Sequence, residues 1–328
     1  MKAAVFEDIK KIVYREDYPK PNIGPDDALI KVHYCGICGT DINNFKYKIY
    51  QTPLIMGHEV SGVVEKIGEN ITEVKVGDKV ICFNVKLDVS HKQLEGIGLF
   101  QDGGFAEYIK VPKKYLFQIP DNTSLKEAVM IETLSLAMRA IKLSGIDKNQ
   151  NIMIIGGGNV GLTFLNVLKE ETKPNFVIVI EPHEFLREKA KEMGANEALP
   201  PNKVKIKKYF KKKGSPTFIF DCVGSEDTLI LAMEFIEREG TVLLEGIHEI
   251  KSIPFPIFLI NSKEIHLQGC LGHDRHDILA AIDFFLKNKV DANKLISEII
   301  ALKDIQKTFE KFLETGERKF IKILIKIA

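Results

Sequence analysis

The sequence predicts an α/β protein of two domains, a small irregular β-barrel followed by a doubly wound parallel sheet. Three observations carry that prediction. The first ~120 residues read as short strands separated by turn residues. From Ser124 onward the texture changes to apolar strands alternating with helices. A chain of 328 residues is long for one core and comfortable for two domains.

In the first part the candidate strands are Ala3–Phe6, Ala28–Tyr34, Val60–Ile67 and Lys79–Phe83. Gly24-Pro25, Gly68, Gly77-Asp78 and Asp102-Gly103-Gly104 break the chain between them, which suits a barrel. Ser124 and Glu127 form a capping box ahead of an apolar helical run, Ala128–Leu143. Strand Ile152–Ile155, helix Leu162–Glu170, strand Phe176–Ile180 and helix Glu184–Met193 follow. Strand Phe218–Cys222, helix Thr228–Glu237 and strand Thr241–Leu244 continue the alternation. Fully apolar strands of this kind belong to a parallel sheet covered on both faces. The tail carries helices at Ile278–Lys287 and Asp304–Glu314 and a last strand, Phe320–Ile327, expected to return to the first domain. The expected division is therefore 1–132 with 271–328 for the first domain and 133–270 for the second.

Composition narrows the class. A hydrophobic fraction of 45% and a net charge of +1 are ordinary for a soluble enzyme and give no reason to expect nucleic acid or an anionic membrane as partner. The one charge run, seven lysines between Lys203 and Lys213, reads as a solvated amphipathic edge around Val204, Ile206, Tyr209 and Phe210. Five scattered cysteines argue against a disulfide framework and for a reducing, cytoplasmic compartment. Residues 1–30 show no signal-peptide pattern. The uncharged stretch Ile152–Leu168 holds four glycines, Asn159, Thr163 and Asn166, and reads as strand-turn-helix rather than a membrane span.

Two constellations carry chemistry. Gly156-Gly157-Gly158-Asn159-Val160-Gly161 follows a strand and opens a helix. A G-x-G-x-x-G in that context turns tightly, approaches a pyrophosphate and sets it at the helix N-terminus. Glu181 closes the next strand, 20 residues after Gly161, and is placed to accept hydrogen bonds from an adenosine ribose diol. A 2′-phosphate would meet a like charge there, so NAD is preferred over NADP, although Arg187 and Lys189 could swing in. The second constellation is Cys38-Gly39-Thr40-Asp41 with Gly57-His58-Glu59. Thiolate, imidazole and carboxylate are ligands that zinc accepts together, and three of them leave a position open for substrate. His58 and Glu59 are neighbours in an expected strand, where side chains alternate, so both can ligate only if the backbone is distorted there. Glu59 is left as a direct ligand, an intermittent one or a residue behind the ligands. Glu132 lies in an apolar helical run, where a buried carboxylate needs a counter-charge; a zinc ion or plain surface exposure would explain it.

These motifs, with Gly57-His58-Glu59-Val60-Ser61-Gly62, Val76-Gly77-Asp78-Lys79-Val80, Gly103-Gly104-Phe105-Ala106-Glu107-Tyr108 and Asp221-Cys222-Val223-Gly224, resemble the medium-chain zinc-dependent alcohol dehydrogenase family over nearly the whole chain. The positions of Glu59 and Glu132 are more similar to its sorbitol and polyol branch. The resemblance implies a GroES-like β-barrel catalytic domain and a Rossmann domain. It implies metal ligands among Cys38, His58, Glu59 and Glu132, Asp41 behind the histidine, and Thr40 on the proton path. Gly156, Gly158, Asn159, Val160, Gly161, Glu181, Val223 and Lys322 are the implied cofactor contacts, Lys322 at the pyrophosphate or merely exposed on its strand. Cys35, which makes a C-x-x-C with Cys38, is expected to pack in the core.

Two departures stand out. Asn43 takes the place of a relay histidine, and 84–101 lacks the cysteine cluster that holds a structural zinc in many relatives. One zinc per chain is therefore expected. The implied reaction is hydride transfer between NAD and a secondary alcohol, from a polyol, a sugar or an amino-alcohol such as threonine. Alternatives are a zinc-free quinone or enoyl reductase and a non-catalytic nucleotide-binding regulator. A homodimer or homotetramer is the expected assembly.

Overall fold

The computed structural model describes every residue except 85–95, 247–251 and 315. The chain divides into two compact units. The first holds Met1–Glu132, Asp291–Gly316 and Lys322–Ala328; the second holds Thr133–Val290 and Glu317–Ile321. The sequence placed the return at residue 271. In the structure 271–290 pack with the second unit, because the helix Arg275–Leu286 carries Asp277, which accepts from Arg139 Nη1 at 3.0 Å.

The first unit is built on two sheets. Lys11–Arg15, Ala3–Asp8 and Leu54–Ile55 form a small one. In the larger, the long strand Asp27–Gly36 pairs antiparallel with Glu59–Ile67, Tyr108–Pro112 and the last strand, Lys322–Lys326. Its register sets Gly36 between Leu324 on one side and Glu59 on the other. Four buried rings hold the unit's core together: Phe45 lies 5.1 Å from Phe309 and 6.5 Å from Phe6, and Phe105 lies 6.1 Å from Phe309. Phe45 sits on a helix, Gly39–Tyr47, that the sequence did not suggest. Its Cys-Gly-Thr-Asp start looks like a turn, and few of its residues are apolar.

The second unit is a six-stranded sheet, parallel throughout. Its spatial order is Glu197–Leu199, Phe176–Ile180, Asn151–Ile155, Phe218–Asp221, Thr241–Leu244 and His266–Gly269. Numbered along the chain this is 3-2-1-4-5-6, the doubly wound order that places ligands where the winding reverses. The reversal falls between Asn151–Ile155 and Phe218–Asp221, the strands that lead into the glycine loop and into Cys222-Val223-Gly224. The lysine run is the helix Lys203–Lys213, which buries Ile206 and Phe210, one turn apart, against the sheet core. The expected helix 128–143 is two pieces, Leu125–Ala128 and Ile131–Ser144, with Ser124 capping the first. Among the described residues no helix is long and apolar enough to cross a membrane.

Gly161 shows how tightly the first strand and its helix meet, since a methyl group there would lie 1.9 Å from the Gly156 carbonyl oxygen. Gly161→Ala should therefore lower stability by about 1–3 kcal/mol, read as a shifted urea midpoint. An unshifted midpoint would show that the loop has room to spare.

Candidate metal centre

Cys38 ends the run that follows the strand Asp27–Gly36 and stands at the N-cap of the helix Gly39–Tyr47. His58 and Glu59 arrive from another segment. Gly57 precedes them with φ +91°, a conformation that favours glycine. A methyl group at Gly57 would also lie 2.5 Å from Phe105 Cδ1 and 2.8 Å from Cys35 Sγ. The strand itself begins at Glu59, so His58 is outside the alternation that would have sent the two side chains to opposite faces. This resolves the geometric objection raised by the sequence. One ligand atom each from Cys38, His58 and Glu59 lie within 4.8 Å of one another.

Asp41, almost wholly buried, ties the two ligand-bearing segments together. Its Oδ2 accepts from the Cys38 amide at 2.9 Å and its Oδ1 from the Gly57 amide at 3.3 Å. Oδ1 also lies 3.6 Å from His58 Nδ1, which has no hydrogen-bond partner of its own. Burial works against a charged His58, but Asp41 and Cys38 outweigh it and hold the imidazole well above its ordinary pKa. The surroundings thus favour positive charge at this point.

The donor set fits a zinc ion. Zinc–ligand bonds of about 2.0–2.3 Å keep two ligands of one ion within about 4.6 Å, so small side-chain shifts close the triangle. Mixed sulfur, nitrogen and oxygen donors numbering three suit a site with an open position. Glu132, in the first turn of the helix Ile131–Ser144, is buried rather than exposed, and it is not one of the three clustered donors.

Lys322 is not the exposed strand lysine that was one of the two expectations for it: it is 2% exposed. Its ammonium lies 2.6 and 2.5 Å from the two Glu59 oxygens and donates to the Ile37 carbonyl at 3.2 Å. Burial works against its charge, yet Glu59, Cys38 and Glu132 outweigh that and raise its pKa above the ordinary lysine value. The contact crosses Gly36, where a methyl group would lie 2.0 Å from Glu59 Oε2 and 3.0 Å from Lys322 Cε. Gly36 was not singled out from the sequence, although a glycine inside a strand is a known sign of close approach. Cys35, fully buried and outside the donor cluster, packs against Gly57 and Gly104, and its thiol pKa is raised by burial. Phe45 and Phe105 are core residues, whereas Tyr50 packs its edge on Phe100 at 5.2 Å. Thr40, half-buried, lies in the first helical turn.

The nucleotide loop forms a separate site in the second unit. Gly158 caps the helix Asn159–Glu171 without a side-chain acceptor, leaving first-turn amides for an anion. Asn159 Nδ2 donates to Thr133 Oγ1 at 3.0 Å. Glu181 is buried, and its Oε2 accepts from Gly157 N at 2.7 Å while Oε1 accepts from His183 N at 2.9 Å. Arg187 donates to the carbonyls of Glu181 and Pro182, and Lys189 pairs with Glu192 at 2.6 Å. Val223 packs on the loop, 2.8 Å from where a methyl group on Gly156 would lie. Asp221 pins it there by accepting from the amides of Val223 and Gly224 at 2.9 and 3.0 Å.

The chain is similar to known proteins over nearly its whole length. Residues 24–121 match the alcohol dehydrogenase GroES-like domain and residues 160–287 match the zinc-binding dehydrogenase domain, together most of the chain. D-xylulose reductase A of Aspergillus oryzae is 27% identical over 98% of this chain and 95% of its own length. The crystal structure of 2R,3R-butanediol dehydrogenase from Bacillus subtilis superposes with a TM-score of 0.88 at 26% identity, covering 99% of both chains. An alcohol dehydrogenase of Escherichia coli CFT073 complexed with NADH gives 0.89 at 26% identity, again over 99% of both.

Removing the Lys322 charge should leave Glu59 buried and uncompensated. Lys322→Met is expected to destabilise the metal-free protein by about 3–5 kcal/mol, and zinc should restore part of the loss by supplying the missing positive charge. Urea denaturation with and without zinc reads both effects; equal stability of the variant and the wild type would contradict the role given to this pair.

Proposed function

The chain belongs to the zinc-dependent medium-chain alcohol dehydrogenases, and from that premise we propose that it oxidises a secondary alcohol of the polyol or sugar class, passing hydride to NAD. The observation that carries the reading is the convergence of Cys38, His58 and Glu59, whose ligand atoms lie within 4.8 Å of one another. A zinc-free reductase would have no use for that set, and nothing favours a non-catalytic role. The names of the relatives, a xylulose reductase and a butanediol dehydrogenase, support a polyhydric substrate.

In this reading Cys38, His58 and Glu59 hold one zinc ion. Bound there, the metal supplies Lewis-acid polarisation of the substrate hydroxyl, which lowers its pKa. Asp41 fixes the orientation of His58 and the spacing of the two ligand segments. Lys322 neutralises part of the charge on Glu59, which makes that carboxylate the weakest of the three donors and the one best able to let go. Glu132 adds buried negative charge that acts on Lys322, and no bond from it to the metal is assigned. Thr40 accepts the hydroxyl proton and passes it to water, since Asn43 one turn further cannot titrate near neutral pH. Such proton transfer contributes about 10²–10⁴-fold.

NAD rather than NADP follows from Glu181, whose carboxylate faces the loop, while Arg187 Nη1 is held by the Glu181 and Pro182 carbonyls and Lys189 pairs with Glu192. One zinc per chain is proposed. The segment expected to lack a structural site is 84–101, of which 85–95 lie outside the described residues. All five cysteines are free, which supports a reducing, cytosolic location. A homodimer or homotetramer is proposed for the assembly, with the edge strand His266–Gly269 as the natural place for pairing.

The test is a panel of polyols, sugars and simple alcohols with NAD and NADP, run with metal analysis. Wild type should hold one zinc and reduce NAD with polyols. Cys38→Ser should lose the zinc and at least ~10²-fold in kcat/KM, a drop of the size expected when Lewis-acid assistance goes. Full activity in a zinc-free protein would overturn the proposal.

A further inference from the structure

The segment Glu317–Ile321 belongs to the second unit although the chain on either side of it belongs to the first. It is held in place by its own contacts. Glu317 Oε1 accepts from the Phe185 amide at 2.9 Å, in the first turn of the helix Glu184–Glu192. His183 Nδ1 accepts from the Arg318 amide at 3.1 Å. These bonds fix the segment beside Glu181 and the opening of the nucleotide site.

They also fix a guanidinium. Arg318 donates through Nε to the Phe320 carbonyl and through Nη2 to the Ile321 carbonyl, both at 3.1 Å, and its group stacks 4.7 Å from the Phe320 ring centroid. Three of its contacts are thus spent on holding the plane in one orientation. The remaining nitrogen, Nη1, has no hydrogen-bond partner among the described residues and lies 3.6 Å from where a methyl group on Gly158 would stand. Gly158 is the cap residue whose helix presents its free amides to an anion. Burial lowers the pKa of this arginine, against the pull of Glu181, and a guanidinium in a protein keeps its charge.

Resting on the reading of this unit as a nicotinamide-nucleotide site, we propose that Arg318 binds the pyrophosphate of the cofactor through Nη1, closing from the return segment the cradle that the glycine loop opens. The immobilised fork supplies what a helix N-terminus alone lacks, a full positive charge with a directed N–H. The same cation stands near Glu181, so a second anion, the 2′-phosphate of NADP, is the outcome that the experiment must separate.

Calorimetric titration of the zinc-loaded, full-length protein without alcohol makes that separation, with NADH, NADPH, ADP-ribose and adenosine as probes. Arg318→Met is expected to weaken NADH and ADP-ribose by about 10-fold or more, the size of a lost charge-assisted hydrogen bond, and to leave adenosine unchanged. Arg318→Lys should recover a large part of the affinity. Arg318→Gln keeps a donor for the Phe320 and Ile321 carbonyls and is read in the same way if the methionine variant does not fold. Unchanged ADP-ribose affinity overturns the proposal, as does an equal loss for adenosine, which would mean a collapsed pocket. A loss confined to NADPH overturns it by moving the contact to the 2′-phosphate. Wild type that binds neither NADH nor ADP-ribose overturns it too. A protein that binds both normally but oxidises no alcohol would refute the proposed activity and leave this assignment standing.

Discussion

The buried ion pair between Lys322 and Glu59 is the interaction on which the metal centre depends. Close to one another the first unit buries Asp41, Glu59 and His58 and half-buries Cys38, and the buried Glu132 acts electrostatically on Lys322. Such a concentration of acidic groups is unfavourable inside a protein unless positive charge accompanies it. One lysine, itself buried and raised in pKa by those neighbours, supplies a permanent part of that charge. In the proposed reading a divalent ion would supply the rest. The division matters for chemistry, because a carboxylate already shared with an ammonium is a ligand that can yield its place.

Two kinds of residue hold this arrangement, and neither bears on the reaction directly. Glycines make room: Gly36 lets Lys322 reach across a strand to Glu59, and Gly57 turns the chain so that His58 and Glu59 converge. Rings then lock the segments. Phe45 anchors the helix that begins after Cys38, Phe105 backs Gly57, and both meet at Phe309. Asp41 completes the frame by bonding to the amide of each segment. Sequence, packing and donor geometry are therefore one problem here.

How much of this was legible beforehand depended on how local the signal was. The glycine loop, Glu181 and the pair Cys38 with His58-Glu59 stand in short motifs, and the structure brings each set together as a short-range pattern can specify. The burial of Lys322 was not legible because it depends on register: only the pairing of Leu324 with Gly36 and of Gly36 with Glu59 puts its amine on a carboxylate 263 residues away. The helix Gly39–Tyr47 was missed because tertiary packing of Phe45, rather than an apolar stripe, supports it. Residues 271–290 looked like the start of the return, since an amphipathic helix does not say which core it serves; Arg139 and Asp277 decide that. Arg318 gave no signal at all, lying in a short stretch of Glu, Arg, Lys and Phe whose position only the fold reveals.

X-ray absorption at the zinc edge of the purified protein tests the central claim most directly. The account predicts one sulfur scatterer at about 2.3 Å with the remaining ligands nitrogen or oxygen at about 2.0–2.2 Å. A shell of four sulfurs, or one with none, would contradict it.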